Sequence, residues 1–369
     1  GAITAPAGFS TSGAANLANN ITTTNTALSI GGALTIADTR TVTLSTQGAA
    51  GVGNITVTGT TVGVTGSTAE TLVLNAGTGT LNMAAIYGSG TSADTTGLAT
   101  VTITNAGTTN FNGAIAISGV LSQTSAATGT TAFSSTVNVG SATLRGVAYN
   151  VNNSFTAASG GAVAVTNSGL FTLSAAGAIT APAGFSTSGA ANLANNITTT
   201  NTTLSIGGTL TIAEAAGVTL STQGLAGAGN ITLSGTTDGT ASGLAETLTL
   251  NSGTGTISLQ AVGSGSTTSL TALTIANTST ATANINGTVN ITGTFTKSGT
   301  GDVNLGSNSF IVGQLTLSAG TINNAADDNG TWTIAGDVSI SGTLKATSGL
   351  FYVGGNWTNS GTFNHASGT

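Results

Sequence analysis

The residues able to do acid–base or metal chemistry are few in this chain and widely scattered. Ten carboxylates (Asp38, Glu70, Asp94, Glu214, Asp238, Glu246, Asp302, Asp327, Asp328 and Asp337) stand against four basic residues (Arg40, Arg145, Lys297 and Lys345) and one histidine, His365. Cleaving a polysaccharide needs two or three acids converging on one bond, usually with a cation where negative charge develops. Only Asp327, Asp328 and Asp337 come close together, with Lys345 nearby. Adjacent side chains on a strand point to opposite faces, so the DDNG stretch around Asp327 and Asp328 reads as a turn. Asp327 and Asp328 are also the candidate metal ligands, through carboxylate and carbonyl oxygens. Their stretch lacks the spacing of an EF-hand loop and the GGxGxD repeat of calcium-binding β-rolls.

Other chemistries find less. A Ser, His and Asp triad would have to be built on His365, which has no GxSxG context. The glycine-rich GAAGVG (48–53) and GLAGAG (224–229) have no following Lys and open no helix, so they read as corner loops rather than phosphate cradles. No catalytic residue and no cofactor are assigned.

Composition narrows the class. Charged residues make up 4% and aromatics 4% of the 369 residues, where about 25% charged is usual for a soluble domain. Disorder pairs low hydrophobicity with high charge, but here the hydrophobic fraction is 39% and the net charge only −6. The chain is expected to fold. Four scattered basic residues cannot neutralise a run of phosphates, which argues against nucleic acid as a partner. There is no cysteine, hence no disulfide or thiolate site. No apolar run approaches the roughly 18 residues of a membrane-spanning helix. Neither an initiator Met nor a signal peptide opens the sequence, which reads as a mature segment or a fragment.

The elements that must position these residues are short strands. Stretches such as LSIGGALTI, VTLST, NITVTG, ETLVLN and VTITN alternate Val, Ile, Leu and Thr, with Gly, Asn and Ser as punctuation, the signature of strands and turns. They recur at two scales. Gly1 to Thr26 returns letter for letter at Gly177 to Thr202, and 63 of the first 86 positions are identical without a gap. Differences at Val57/Leu233, Leu81/Ile257, Met83/Leu259 and Ile86/Val262 are conservative exchanges, as core positions would show. The finer repeat is 19 residues: Trp332 aligns with Phe351, Gly336 with Gly355, Val338 with Trp357 and Leu344 with Phe363.

A unit this short cannot bury its inward side chains alone, whereas stacked coils cover one another. The expectation is an all-β parallel β-solenoid with coils of about 19 residues. Residues 1–369 would form one continuous solenoid, with a duplication of 1–176 and 177–297 that diverges after about 262, and divergent coils over 298–369. Tandem β-sandwiches are the competing architecture, weakened by the scarcity of large core residues.

Gly and Asn are expected to supply left-handed backbone at corners. The pairs Asn19–Asn20, Asn152–Asn153, Asn195–Asn196 and Asn323–Asn324 read as turn residues, or as internal amide ladders. Trp332 over Phe351 reads as an internal aromatic stack extended by Trp357. Thr-x-Thr motifs read as the ordinary preference of Thr for exposed strands, with an ice-binding face as the alternative, since sequence spacing assigns them no regular coil position. The sequons at Asn54 and Asn230 are of the kind chance supplies in so Asn- and Thr-rich a chain.

The stretches SIGGALTIADTRTVTLSTQGAAGVGNITVTG, AGDVSISGTL and VGGNWTNSGTF resemble bacterial surface proteins of the filamentous-haemagglutinin and autotransporter-adhesin type. The resemblance covers nearly the whole chain. It implies a secreted, right-handed parallel β-helix serving as adhesin, stalk or matrix fibre. The function expected is therefore a non-enzymatic structural segment of an extracellular surface fibre or filament. Its partners would be a longer solenoid or further copies of itself, and host or surface glycans. The alternative is a carbohydrate-active enzyme, or a glycan- or ice-binding module, on the same fold.

Overall fold

The computed structural model describes residues 1–46, 51–64, 70–89, 97–124, 129–222, 229–240, 245–263, 270–278, 281–306, 309–324 and 329–365. Among them there is no helix, and the parallel sheets stack as a β-solenoid. The chain forms two compact units, Gly1–Ala181 and Pro182–Thr369.

In the first unit each coil contributes short strands to three rows. One row runs from Ile3–Thr4 to Val163–Asn167, the next from Phe9–Thr11 to Phe171–Leu173, and the third from Ala15–Leu17 to Ile179–Thr180. Every ladder is parallel, as in Leu44 beside Leu74 beside Ile103. The second unit repeats the plan, with rows opening at Phe185–Thr187, Ala191–Leu193 and Ile197–Thr198. Parallel pairing of successive coils rules out the sandwich alternative, whose sheets are antiparallel.

Alternation builds the core. In Glu70–Asn75 and Thr247–Gly253, Leu72, Leu74, Leu248 and Leu250 face inward and are at most 1% exposed, while Thr71 and Thr249 face outward. Each fully buried aliphatic side chain contributes about 1.5–3 kcal/mol. All eight residues of the conservative exchanges are buried. Aromatics stack along the interior: Phe111 on Phe133 at 5.2 Å in the first unit, and Phe295, Phe310 and Trp332 at 5.2 and 5.0 Å in the second.

The 19-residue register at the end is the actual stacking: Trp332 pairs with Phe351, Val338 with Trp357 and Leu344 with Phe363. It is not the general pitch, because coils average about 22 residues. The sheet positions hold register while the corners absorb extra chain, so the step from Leu44 to Leu74 is far longer than that from Phe9 to Leu28.

Left-handed backbone does occur as expected, for example at Gly77, Gly253, Asn25 and Asn201, but the 19-residue glycine register has a different cause. Gly336, Gly342, Gly355 and Gly361 all lack positive φ. A Cβ on Gly355 would lie 2.6 Å from the carbonyl carbon of Gly336. Backbones of successive coils pass too closely there for any side chain.

Asparagine mostly mends corners. The Oδ1 atoms of Asn20, Asn54, Asn196 and Asn230 accept the backbone N–H of Thr43, Thr80, Thr219 and Thr256 on the next coil, at 2.7–2.9 Å. Asn153 and Asn195 accept from the following residue's N–H. Amide ladders do form, but half-buried on outward positions: Asn110 to Asn82 at 2.8 Å, and Asn323 to Asn304 to Asn284 at 3.3 and 3.1 Å. Of the four Asn pairs singled out in the sequence, the one at Asn323 enters such a ladder.

Candidate functional site

Among the described residues the carboxylates do not gather into a cluster of three. Asp38 is exposed in the first unit, and Glu214, Asp302 and Asp337 in the second, where Asp238 is half-buried. Asp94 and the candidate metal ligands Asp327 and Asp328 lie outside the described residues. Among the described residues, no three His, Cys, Asp or Glu side chains gather to hold a metal. Asp337 is structural: its Oδ1 accepts the N–H of Asn356 at 2.7 Å. His365 is exposed and packs on Phe363, ring centroids 6.4 Å apart. Shallow depressions lined by Ile117, Val139 and Thr156, and by Ala7, Phe9 and Ser29, hold no titratable side chain.

Sequence inspection for clusters missed the titratable groups that point into the core. Glu70 and Glu246 occupy equivalent places in the two copies and are fully buried. Thr240 donates to Glu246 Oε1 at 2.6 Å, and the Val64 N–H approaches Glu70 Oε1 at 3.4 Å. Both Oε2 atoms lack a hydrogen-bond partner. Alternation would have revealed them, since ETLVLN and ETLTLN put Glu on the same face as the two Leu that follow.

Lys297 is missed for the same reason. In TFTK it shares the inward face of Phe295, and it stands in register between Ile275 and Leu317, fully buried. Its ammonium donates to the Gly299 carbonyl. Burial pulls its pKa down to about 8 against the opposing attraction of Asp302. Nearby Asn277, also fully buried, donates through Nδ2 to the carbonyls of Ala281 (2.8 Å) and Asp302 (3.0 Å). In the first unit, burial raises the pKa of the Tyr149 phenol, whose hydroxyl has no partner.

The aromatic stack is interior only in part. Trp332 is 1% exposed with Phe351 6.0 Å away, but Trp357, on the last described coil, is 40% exposed. It occupies the inward register over Val338, and no described coil covers its other side.

The outward faces carry the most regular feature. On the second unit Thr219, Thr249, Thr274, Thr296, Thr316, Ser339 and Thr358 occupy one position on successive coils. The matching column of the first unit, Thr43, Val73, Thr102, Ser122, Thr143 and Ala164, is broken by Val73 and Ala164. A regular position for Thr therefore exists after all. Unequal corner lengths hide it in the sequence.

Comparison with protein-family models, with curated proteins and with solved structures gives no match for this chain. No helix among the described residues is long and apolar enough to cross a membrane.

Proposed function

We propose that the chain is a non-enzymatic structural protein, a stiff β-solenoid segment of an extracellular bacterial surface fibre, adhesin stalk or filament. The observation that carries this reading is the parallel stacking of apolar columns, such as Ile21, Leu44, Leu74 and Ile103, through coils of unequal length. Within each unit, backbone hydrogen bonds between coils act together with the apolar core, so bending one coil strains its neighbours. The dispersal of the acids supports a structural rather than a catalytic role. Partners of matching chemistry are further coils, supplied by a longer solenoid or by another copy, and glycans at the surface served.

Electron microscopy and fibre diffraction of the purified protein test this. Uniform straight particles with a spacing near 4.8 Å along their long axis are expected. Globular particles without that spacing would overturn it.

The aligned hydroxyl column favours a second reading, a face that orders water and binds ice. Its members repeat at the strand spacing of about 4.8 Å. They carry hydroxyls and, on the threonines, methyl groups, but no charge. Slowed ice recrystallisation that is lost in Thr274→Tyr is the expected outcome. Recrystallisation equal to that in an inert protein control would remove this reading and leave the structural one standing.

A further inference from the structure

The corner that holds Lys297 also holds a carboxamide whose chemistry is complementary to its amine. Asn277 lies two residues beyond Ile275, the coil neighbour of Lys297, and faces the same interior. Its Oδ1 is buried without a partner. Two glycines of the Lys297 coil permit the approach: a Cβ on Gly301 would lie 2.7 Å from Asn277 Nδ2, and one on Gly299 would strike the Asn277 backbone carbonyl. The Lys297 amine is bound to that same Gly299, through its carbonyl. A primary amine and a carboxamide, both removed from water, thus share one corner of two consecutive coils.

We propose that Lys297 and Asn277 condense into an intramolecular amide that staples their coils together. The neutral Nζ attacks Cγ of Asn277, forming the new N–C bond. The Cγ–Nδ2 bond breaks, the proton shed by Nζ passes to Nδ2, and ammonia leaves. Amine and carboxamide become secondary amide and ammonia, with no oxidation and no co-reactant. Holding both groups at one corner makes the step unimolecular. Burial supplies the neutral amine, since an ordinary lysine is almost wholly protonated at neutral pH. The product removes a chargeable group from the core.

Intact-protein mass spectrometry of the full chain decides the matter. The expected mass falls short of the sequence mass by one ammonia, and digestion yields a branched peptide joining the segment of Asn277 to that of Lys297. Chain recovered unfolded from inclusion bodies, and so not yet condensed, should convert faster when refolded at pH 9 than at pH 7, because the neutral amine grows as pH rises through about 8. Lys297→Arg and Asn277→Ala should each restore the sequence mass, with circular dichroism confirming that the strands persist. The full sequence mass in wild-type protein after prolonged incubation at pH 9 overturns the proposal whatever the variants do. So does an ammonia loss that survives in Lys297→Arg, because that marks ring closure of an asparagine on its own backbone. Neither result bears on where the fibre works.

Discussion

At the scale of single residues, constraint sits where the backbones of successive coils touch. Gly355→Ala should destabilise the fold by about 1–3 kcal/mol, the range for forcing extra atoms into a packed site. Gly13→Ala, whose Cβ would meet nothing within 4 Å, should change stability by less than about 0.5 kcal/mol. Denaturant unfolding of the two variants checks the contrast, and equal effects would contradict the close-approach account. Tyr149→Phe should be neutral or slightly stabilising, because it deletes a buried hydroxyl that has no partner and keeps the ring that packs. A clear loss of stability in the same assay would reveal a hydrogen bond to that hydroxyl. The inward charges were legible by the same reasoning that found the core. Alternation placed Glu70, Glu246 and Lys297 beside Leu and Phe, and only the habit of seeking acids in clusters passed over them.

Strands and corners obey different rules. Sheet positions are fixed by contacts above and below, so their residue types recur and can be read. A corner needs only to return the chain, and its length drifts. The stack could therefore be read from the close-spaced repeat around Trp332 and Phe351, while a pitch taken from those coils fell short of the average of about 22 residues. Likewise the column from Thr219 to Thr358 is regular in space and irregular in sequence. The half-buried ladder through Asn284, Asn304 and Asn323 ties three coils by side-chain amides. Asn304→Ala removes both links and should cost about 1 kcal/mol. Asn290→Ala, on a strand but outside that ladder, serves as the comparison, and similar losses in both variants would deny the ladder any special contribution.

For the whole molecule, the duplication leaves a mark that composition alone could not show. Ile3 and Ile179 occupy the same place in identical stretches of sequence, yet Ile3 is 39% exposed and Ile179 is 1% exposed, the latter resting on Phe155. The two identical stretches present the same inward side chains to a neighbouring coil. Identical coils are then interchangeable docking partners for a folding edge, and a chain released all at once from denaturant must choose between two addresses 176 residues apart. Long-range pairings form slowly and expose such errors to aggregation. Replacing Gly1 to Thr26 by a divergent coil with the same inward pattern should raise the refolding yield severalfold, measured as the soluble fraction after dilution from denaturant. An unchanged yield would mean that the copies do not compete. If they do, the order in which the polypeptide emerges carries information that its letters lack: the first copy finds its neighbours before the second exists.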